Sequence, residues 1–463
     1  MFNRTWRSFL LVAGETALLA AAVLISSIVV GGPHGVLLVT DNTAIPRVLL
    51  IVVVCQLSLH YVDLYDLRTI KGHGDLVRRL MRAIGATSLI LGIAYWLFPL
   101  LVVERGVFLL SAVLAIVMVM LWRSAFDVIT RYLAPRERLL LVGTGPAAIV
   151  LATELFERRH ELGVDIVGFV DPDPTRIGAR VINPGVVGTI DDIPELADGL
   201  RIDRVVVSLS EERGTLPMDR LLDVRMQSGV LFDHLASVYE EYTGKIALEN
   251  LRPSWLVFST GFRNGRWFLL AKRTCDVVAA VCGLVLASPL MLASVLLLKL
   301  ESPRDPVLYH QERVGLHGRP FTIHKFRTMR TNAEAGTGPV WSQGDGDPRI
   351  TAVGRFMRKT RLDEIPQLWN VLRGDMSLIG PRPERPAFVD QLTREIPFYG
   401  QRHVIKPGLT GWAQVRYSYG ASVEDALEKM QYDLYYVKHM SLRFDALIAL
   451  ETVKTVVLRR GAR

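Results

Sequence analysis

"VVAAVCGLVLASPLMLASVLLL", Val277 to Leu298, is a run of 22 residues without a charge. By length it crosses a bilayer, since about 20 apolar residues span the hydrocarbon core. Its flanks argue otherwise. Lys272 and Arg273 precede it, and Lys299 and Arg304 follow it, so both ends read as cytoplasmic. Ser288-Pro289 sits at its midpoint. Proline removes one helical hydrogen bond and clashes with the preceding turn, which bends a helix. The Ser288 hydroxyl can satisfy a backbone group freed at that point. The expected structure is a re-entrant helix-break-helix near 277–298, broken at Ser288 and Pro289, that dips into one leaflet and returns. A kinked crossing helix is the alternative.

Four more apolar segments lie N-terminal to this run: Phe9–Val30, Val48–Leu64, Ile84–Val103 and Val107–Trp122. Each is near the length of a bilayer crossing, and the first reads as an uncleaved anchor because it is too long for a signal-peptide core. Arg68, Lys71, Arg78, Arg79 and Arg82 fill the loop between spans two and three, whereas Gly31–Pro46 holds no Lys or Arg. Both ends of the bundle are therefore expected in the cytoplasm. Half of the 463 residues are apolar and the net charge is +8. The cations collect beside apolar runs, which suits an anionic lipid surface and argues against a nucleic-acid partner. Cys55, Cys275 and Cys282 show no CxxC or Cys/His spacing, so they read as small hydrophobes rather than disulfides or metal ligands.

Between the membrane segments, "RLLLVGTGPAAIVL" (Arg138–Leu151) reads as a buried strand and a glycine turn opening a helix. Strands ending at Asp171 and spanning Asp203–Ser210 follow. Apolar strands alternating with helices predict a parallel, doubly wound, Rossmann-like sheet. Gly143-x-Gly145-x-x-Ala148 could hold a nucleotide phosphate at the helix N-terminus, but a lone GxGxxA is a weak signal. Gly143 and Gly145 are read as structural.

After the long apolar run come three polar pieces. "YHQERVGLHGRPFTIHKFRTM" (Tyr309–Met329) brings Arg313, Lys325 and Arg327; "RLDEIPQLWNVLRGDMSLIGPRP" (Arg361–Pro383) brings Asp363, Glu364 and Arg382. Ile365, Leu368, Trp369 and Leu372 follow the spacing of a buried helical face. Pro366 is tolerated only in a first turn, which puts Asp363 and Glu364 at a helix N-terminus, where ionised carboxylates are favoured. Adjacent helical side chains diverge by about 100°, which suits two different roles. Arg355, Arg358, Lys359 and Arg361 stand just upstream, with a solvated surface as their bland reading. Carboxylates among cations suit a phosphate substrate with Mg²⁺ held by Asp363 and Glu364. The bland reading of the dyad is a helix cap.

Residues 272–463 resemble the catalytic domain of the bacterial polyprenyl-phosphate sugar-1-phosphate transferases, the monotopic phosphoglycosyl transferases. "KRTCDVVAAVCGLVLASP", "KFRTM", "RLDEIPQLWNVLRGDMSLIGPRP", "IKPGLTGWAQV" and "YDLYYVKHMSL" carry the resemblance. Four spans and a Rossmann-like domain resemble the long, exopolysaccharide-initiating form, and "ENLRPSWLVFSTGF" (Glu249–Phe262) is similar to its exosortase-associated branch. The implied organisation is a four-helix membrane bundle (1–133), an α/β Rossmann-like domain (134–255), a linker (256–271) and an α/β monotopic catalytic domain (272–463). The implied reaction moves a sugar 1-phosphate from a UDP-sugar to polyprenyl (undecaprenyl) phosphate through a phosphosugar adduct on Asp363, releasing UMP. Glu364 would hold Mg²⁺ or assist proton transfer, while Lys325, Arg327, Arg382 and Arg313 would grip phosphates. A homodimer in the bacterial inner membrane, with its soluble domains cytoplasmic, is also implied.

Two rivals remain. A membrane-anchored sugar-nucleotide dehydratase or epimerase needs a Tyr-x-x-x-Lys pair, yet none of the 13 tyrosines has Lys four residues later. A non-enzymatic polysaccharide-assembly scaffold would leave the dyad as a cap.

Overall fold

The computed structural model describes residues 2–40, 44–62, 64–65, 73–132, 136–182, 184–208, 218–248, 261, 265–331, 333, 347–417, 420 and 422–457. Contacts divide the chain into two compact units, Met1–Leu235 and Ala236–Arg463. Of the expected linker over 256–271, residues 256–260 and 262–264 lie outside the described residues, and helix begins at Arg266. The stretch similar to the exosortase-associated branch also falls almost wholly outside them.

The first unit opens with α1 (Phe2–Thr40), α2 (Ala44–Tyr61), α3 (His73–Leu97) and α4 (Arg105–Tyr132). Each contains a segment long and apolar enough to cross a membrane: Leu10–Gly32, Ala44–Tyr61, Gly74–Leu97 and Arg105–Phe126. Helix α3 starts about ten residues before the apolar boundary at Ile84. Asp75 pairs with Arg79 at 2.9 Å one turn on, so its charged first turns are helical as well. It stops short of Val103 because Pro99 cannot continue the hydrogen-bond ladder. Glu15 is fully buried, and its carboxylate meets Arg123 Nε of α4 at 2.7 Å. Arg123 also donates to the Leu64 carbonyl and stacks over Tyr65.

The α/β part of this unit runs β1 (Glu137–Val142), α5 (Pro146–Glu157), α6 (Arg159–Leu162), β2 (Val164–Val170), β3 (Val186–Gly188), α7 (Ile193–Gly199), β4 (Arg204–Val207), α8 (Met218–Ser228) and β5 (Leu231–His234). All strand pairs are parallel, in the order β3-β2-β1-β4-β5. The central β1 has no exposure from Leu139 to Val142, so it reads as an uninterrupted apolar run. Periodicity finds β1, β2 and β4 but misses the edges: β3 has three residues, and β5 has no fully buried position. Gly143 turns with φ 93°, a conformation that side chains resist. Asp171, after β2, is the acidic residue that such folds offer to a ribose. Here its carboxylate accepts from Thr144, the Asp173 amide and Arg176. Burial opposes its ionisation, but those hydrogen bonds prevail and hold it below the usual carboxylate range.

The second unit begins within α9 (Leu235–Thr243), which packs on the C-terminal part of the chain. Glu240 pairs with Lys438 at 2.7 Å and with His439, and the Trp412 indole donates to the Gly244 carbonyl at 2.9 Å. Next comes α10 (Arg266–Glu301), a single helix that continues through Pro289 instead of stopping before it. Pro289 leaves the Val285 carbonyl without its helical donor, and Ser288 Oγ donates to that oxygen at 2.7 Å. The hydroxyl repairs the ladder, so the proline does not end the helix.

A hairpin of β6 (Leu308–Val314) and β7 (Pro320–Phe326) follows. Helices α11 (Ala352–Thr360) and α12 (Gln367–Arg373) come next, then β8 (Ser377–Ile379) and α13 (Pro386–Glu395). Strand β9 (Gly408–Thr410) pairs in parallel with β8, and α14 (Trp412–Arg416), α15 (Val423–His439) and α16 (Leu442–Val457) complete the unit. The face that α12 buries differs from the apolar pattern. Gln367, Asn370 and Val371 are buried, whereas Trp369 is exposed. Asn370 wins its place by hydrogen bonding, accepting from the His324 amide at 3.1 Å and donating to the Thr322 carbonyl at 2.7 Å.

The buried pair between α1 and α4 yields a prediction. Glu15→Ala leaves Arg123 charged and unpaired, which should destabilise the bundle by about 3 kcal/mol. The double variant Glu15→Leu/Arg123→Leu should recover most of that loss in thermal unfolding followed by circular dichroism.

Candidate active site

The dyad lies in a 3-10 turn, Leu362–Glu364, between α11 and α12. Arg361 enters it with φ 59°, a left-handed conformation that costs a non-glycine residue energy and reverses the chain sharply. Pro366 occupies the cap position of α12, one residue ahead of the helix proper. The expected placement of both carboxylates at a helix N-terminus is thus met through a preceding turn.

The two carboxylates have different surroundings. Glu364 Oε1 receives Arg382 Nη2 at 2.9 Å, Lys325 Nζ at 3.2 Å and Arg361 Nη1 at 3.7 Å. Burial alone would raise its pKa, but Arg382, Lys325 and Arg361 outweigh it and hold the group well below the carboxylate range. It is a fixed anion. Asp363 is also buried, and its Oδ1 has no hydrogen-bond partner among the described residues. Burial pushes its carboxyl up to about 6; the Glu364 charge adds to the rise, and Lys325, Arg358 and Arg361 oppose it. A buried carboxylate oxygen left unpaired is costly and calls for an explanation, a catalytic role among them.

The expected cations divide. Lys325, on β7, and Arg382 converge on Glu364. Arg327 turns elsewhere, donating from Nε to the Pro306 carbonyl at 2.9 Å and meeting Asp305 at 3.4 Å. Arg313 braces the segment after Arg382, donating to the Pro383 carbonyl at 3.1 Å and to Gln311 at 2.7 Å. Of the four upstream cations, Arg358 and Arg361 act on the dyad, while Arg355 and Lys359 are exposed. No sequence signal separates these four, because their sorting depends on the turn at Arg361.

Sequence reasoning also missed what holds Arg382. Gly380 lies so close to β9 that a Cβ there would meet the Lys406 carbonyl at 2.5 Å. The buried Arg402 donates to the Arg382 carbonyl at 2.9 Å while pairing with Asp433 at 2.7 Å and donating to Tyr399 at 2.6 Å. The "YDLYY" motif thereby reaches the dyad through Asp433, Arg402 and Arg382.

These features coincide with a family match. The bacterial sugar transferase family matches residues 267–459, and a CoA-binding domain family matches residues 60–219. The UDP-N-acetylgalactosamine-undecaprenyl-phosphate N-acetylgalactosaminephosphotransferase of Aeromonas hydrophila is 43% identical over 272 residues, 59% of this chain and 63% of that protein. The UDP-glucose:undecaprenyl-phosphate glucose-1-phosphate transferase of Escherichia coli K12 is 33% identical over 332 residues, 68% of this chain and 67% of that one. The Caulobacter vibrioides protein of the same name is 46% identical over 196 residues, covering 42% of this chain and 72% of its own. The chain belongs to the bacterial sugar transferases.

Because the Asp363 carboxyl has a folded pKa above its unfolded one, ionising it opposes folding. That penalty is absent below about pH 4, grows through pH 6 and is complete above it. Asp363→Asn should therefore raise stability at pH 8 by about 3 kcal/mol and leave it nearly unchanged near pH 3. Denaturant unfolding of the purified protein at the two pH values checks this.

Proposed function

We propose that this chain transfers a sugar 1-phosphate from a UDP-sugar to polyprenyl (undecaprenyl) phosphate, forming polyprenyl-diphosphate-sugar and UMP. The names of the relatives support this reading, since they describe transferases of glucose 1-phosphate or N-acetylgalactosamine phosphate from a UDP-sugar with undecaprenyl phosphate. The observation that carries it is the buried Asp363 Oδ1, without a partner among the described residues, beside cations fixed on Glu364. An anchored anion keeps three cations where a diphosphate would lie, and the free carboxylate is the nucleophile.

In the first step Asp363 Oδ1 attacks the sugar-bearing phosphorus. A P–O bond forms to Asp363 as the bond to the bridging oxygen breaks, and UMP leaves with that electron pair. In the second step an oxygen of polyprenyl phosphate attacks the same phosphorus and releases the Asp363 carboxylate. Lys325, Arg358, Arg361 and Arg382 offset the charge that gathers on the phosphate oxygens. No proton transfer is required if both nucleophiles enter ionised, so activity should fall below about pH 6. Adjacent carboxylates fit Mg²⁺, which takes one or two carboxylates and completes its shell with substrate phosphates and water. Asp363 and Glu364 would hold the ion, and when bound it would polarise the diphosphate.

Residues α10 presents support the re-entrant reading. Near its start, Asp276 accepts from Ser377 Oγ at 2.8 Å, and Arg273 donates to the Val371 and Leu372 carbonyls. Near its end, Leu298 packs with Phe326 and Met357, and Glu301 accepts from the Val353 amide at 3.0 Å. Both ends thus seat on one folded unit, while Val285, Leu286, Leu290 and Leu292 between them are exposed. That pattern suits a helix whose middle lies in lipid and whose two ends return to the same side, with the dyad at the bilayer surface.

Incubation with a UDP-sugar and no lipid acceptor should add one phosphosugar mass to the peptide holding Asp363, and Asp363→Asn should abolish both the adduct and UMP release. Near-normal turnover by Asp363→Asn would refute the covalent mechanism. For the topology, reporter tags after Tyr132 and at the C-terminus should both read cytoplasmic. A periplasmic C-terminus would refute the re-entrant reading.

A further inference from the structure

A cavity of about 490 Å³ opens between the end of α10 and the start of α11. Its walls are Glu301, Ser302, Asp305, Arg327, Arg330 and Thr351, with a few neighbours. Two wall atoms lack partners in a buried setting. Arg327 is 5% exposed, yet among the described residues its Nη2 makes no hydrogen bond, and Glu301 Oε2 is likewise buried and unpaired there. Both residues are otherwise anchored, Arg327 through Nε and Nη1 and Glu301 through the Val353 amide. The unmet atoms are therefore presented by side chains already fixed in place. Such pairs of orphan donor and acceptor call for a ligand carrying both functions.

The cavity's chemistry narrows the class. Its volume falls in the range of small-molecule sites. Guanidiniums suit a phosphate, while Glu301 and Asp305 suit hydroxyl donors and would repel a plain anion. The walls are too polar for a prenyl chain. Position narrows it further. Lys325 touches Glu364, and Arg327, two residues on, lines the cavity, so the two lie at most about 7 Å apart along the chain. Thr328, the next residue, receives Arg358 at 3.1 Å, and the Arg358 charge acts on Asp363.

We propose that this cavity seats the nucleoside monophosphate half of the nucleotide-sugar donor, the part that leaves as UMP, with Arg327 and Arg330 on its phosphate and Glu301 and Asp305 on its ribose hydroxyls. This rests on the reading that the donor is a UDP-sugar reacting at Asp363. Arg327 is thereby assigned to the leaving group, and Lys325 and Arg382 to the transferred phosphate.

The test measures binding of labelled UMP to the intact, detergent-solubilised protein by equilibrium dialysis, alongside UMP release from UDP-sugars. Arg330→Ala should weaken UMP about tenfold and Glu301→Gln several-fold, since each removes a charge-assisted contact. Glu301→Gln keeps an acceptor for the Val353 amide, so it should fold even if another variant does not. Uridine should compete, and the KM for polyprenyl phosphate should not move. UMP binding that is absent, or equal in both folded variants and the parent, overturns the proposal. Competition by inorganic phosphate but not uridine also overturns it, leaving a bare anion site. If UMP binding follows the variants but no UDP-sugar yields UMP, the cavity assignment stands and the proposed reaction falls.

Discussion

The Glu364 carboxylate is the interaction on which the site depends. Lys325 comes from β7, Arg361 from the turn after α11 and Arg382 from the segment after β8. Two unit charges about 4 Å apart repel by roughly 4 kcal/mol at the effective dielectric near a protein surface. Three elements bearing cations would spread apart without an anion between them. Glu364 supplies that anion, and the Asp433–Arg402 pair supports Arg382 from behind. The dyad is therefore divided: one carboxylate builds the site and the other is left open within it.

That division explains the cap reading's failure in physical terms. A capping carboxylate satisfies backbone amides and gains stability from them. Glu364 instead binds side-chain cations, and Asp363 Oδ1 binds nothing among the described residues. Such an arrangement costs stability at Asp363, the pattern expected where function and stability compete.

Much of this was legible beforehand because its signals are local. The apolar spans, the glycine turn and the central strands show in runs of a few residues, and Lys325, Arg382, Asp363 and Glu364 were named from their motifs. The edge strands β3 and β5 were not, since short or half-exposed strands lack a buried run. The face of α12 was misread because Asn370 and Gln367 are buried, and a hydrogen-bonded amide looks polar in any periodicity. Arg327 and Arg382 looked alike as cations near a site; only their partners separate them, the Pro306 carbonyl for Arg327 and the Glu364 carboxylate for Arg382. The Ser288 hydroxyl that meets the Val285 carbonyl beside Pro289 is visible in the sequence only as a possibility, since its rotamer decides the contact.

The packing of α9 carries a consequence for where the reactive half of this protein can be said to start. The family match begins at residue 267, yet Glu240 lies against Lys438 and His439, and Ile246 and Leu248 sit in one apolar cluster with Leu392, Tyr399 and Leu434. Tyr399 in that cluster is also the partner of Arg402. A chain cut at the family boundary would lose part of the wall behind Arg402 and would strip the Trp412 indole of the Gly244 carbonyl. A cut at residue 267 would thus fall inside a packed unit rather than at its edge.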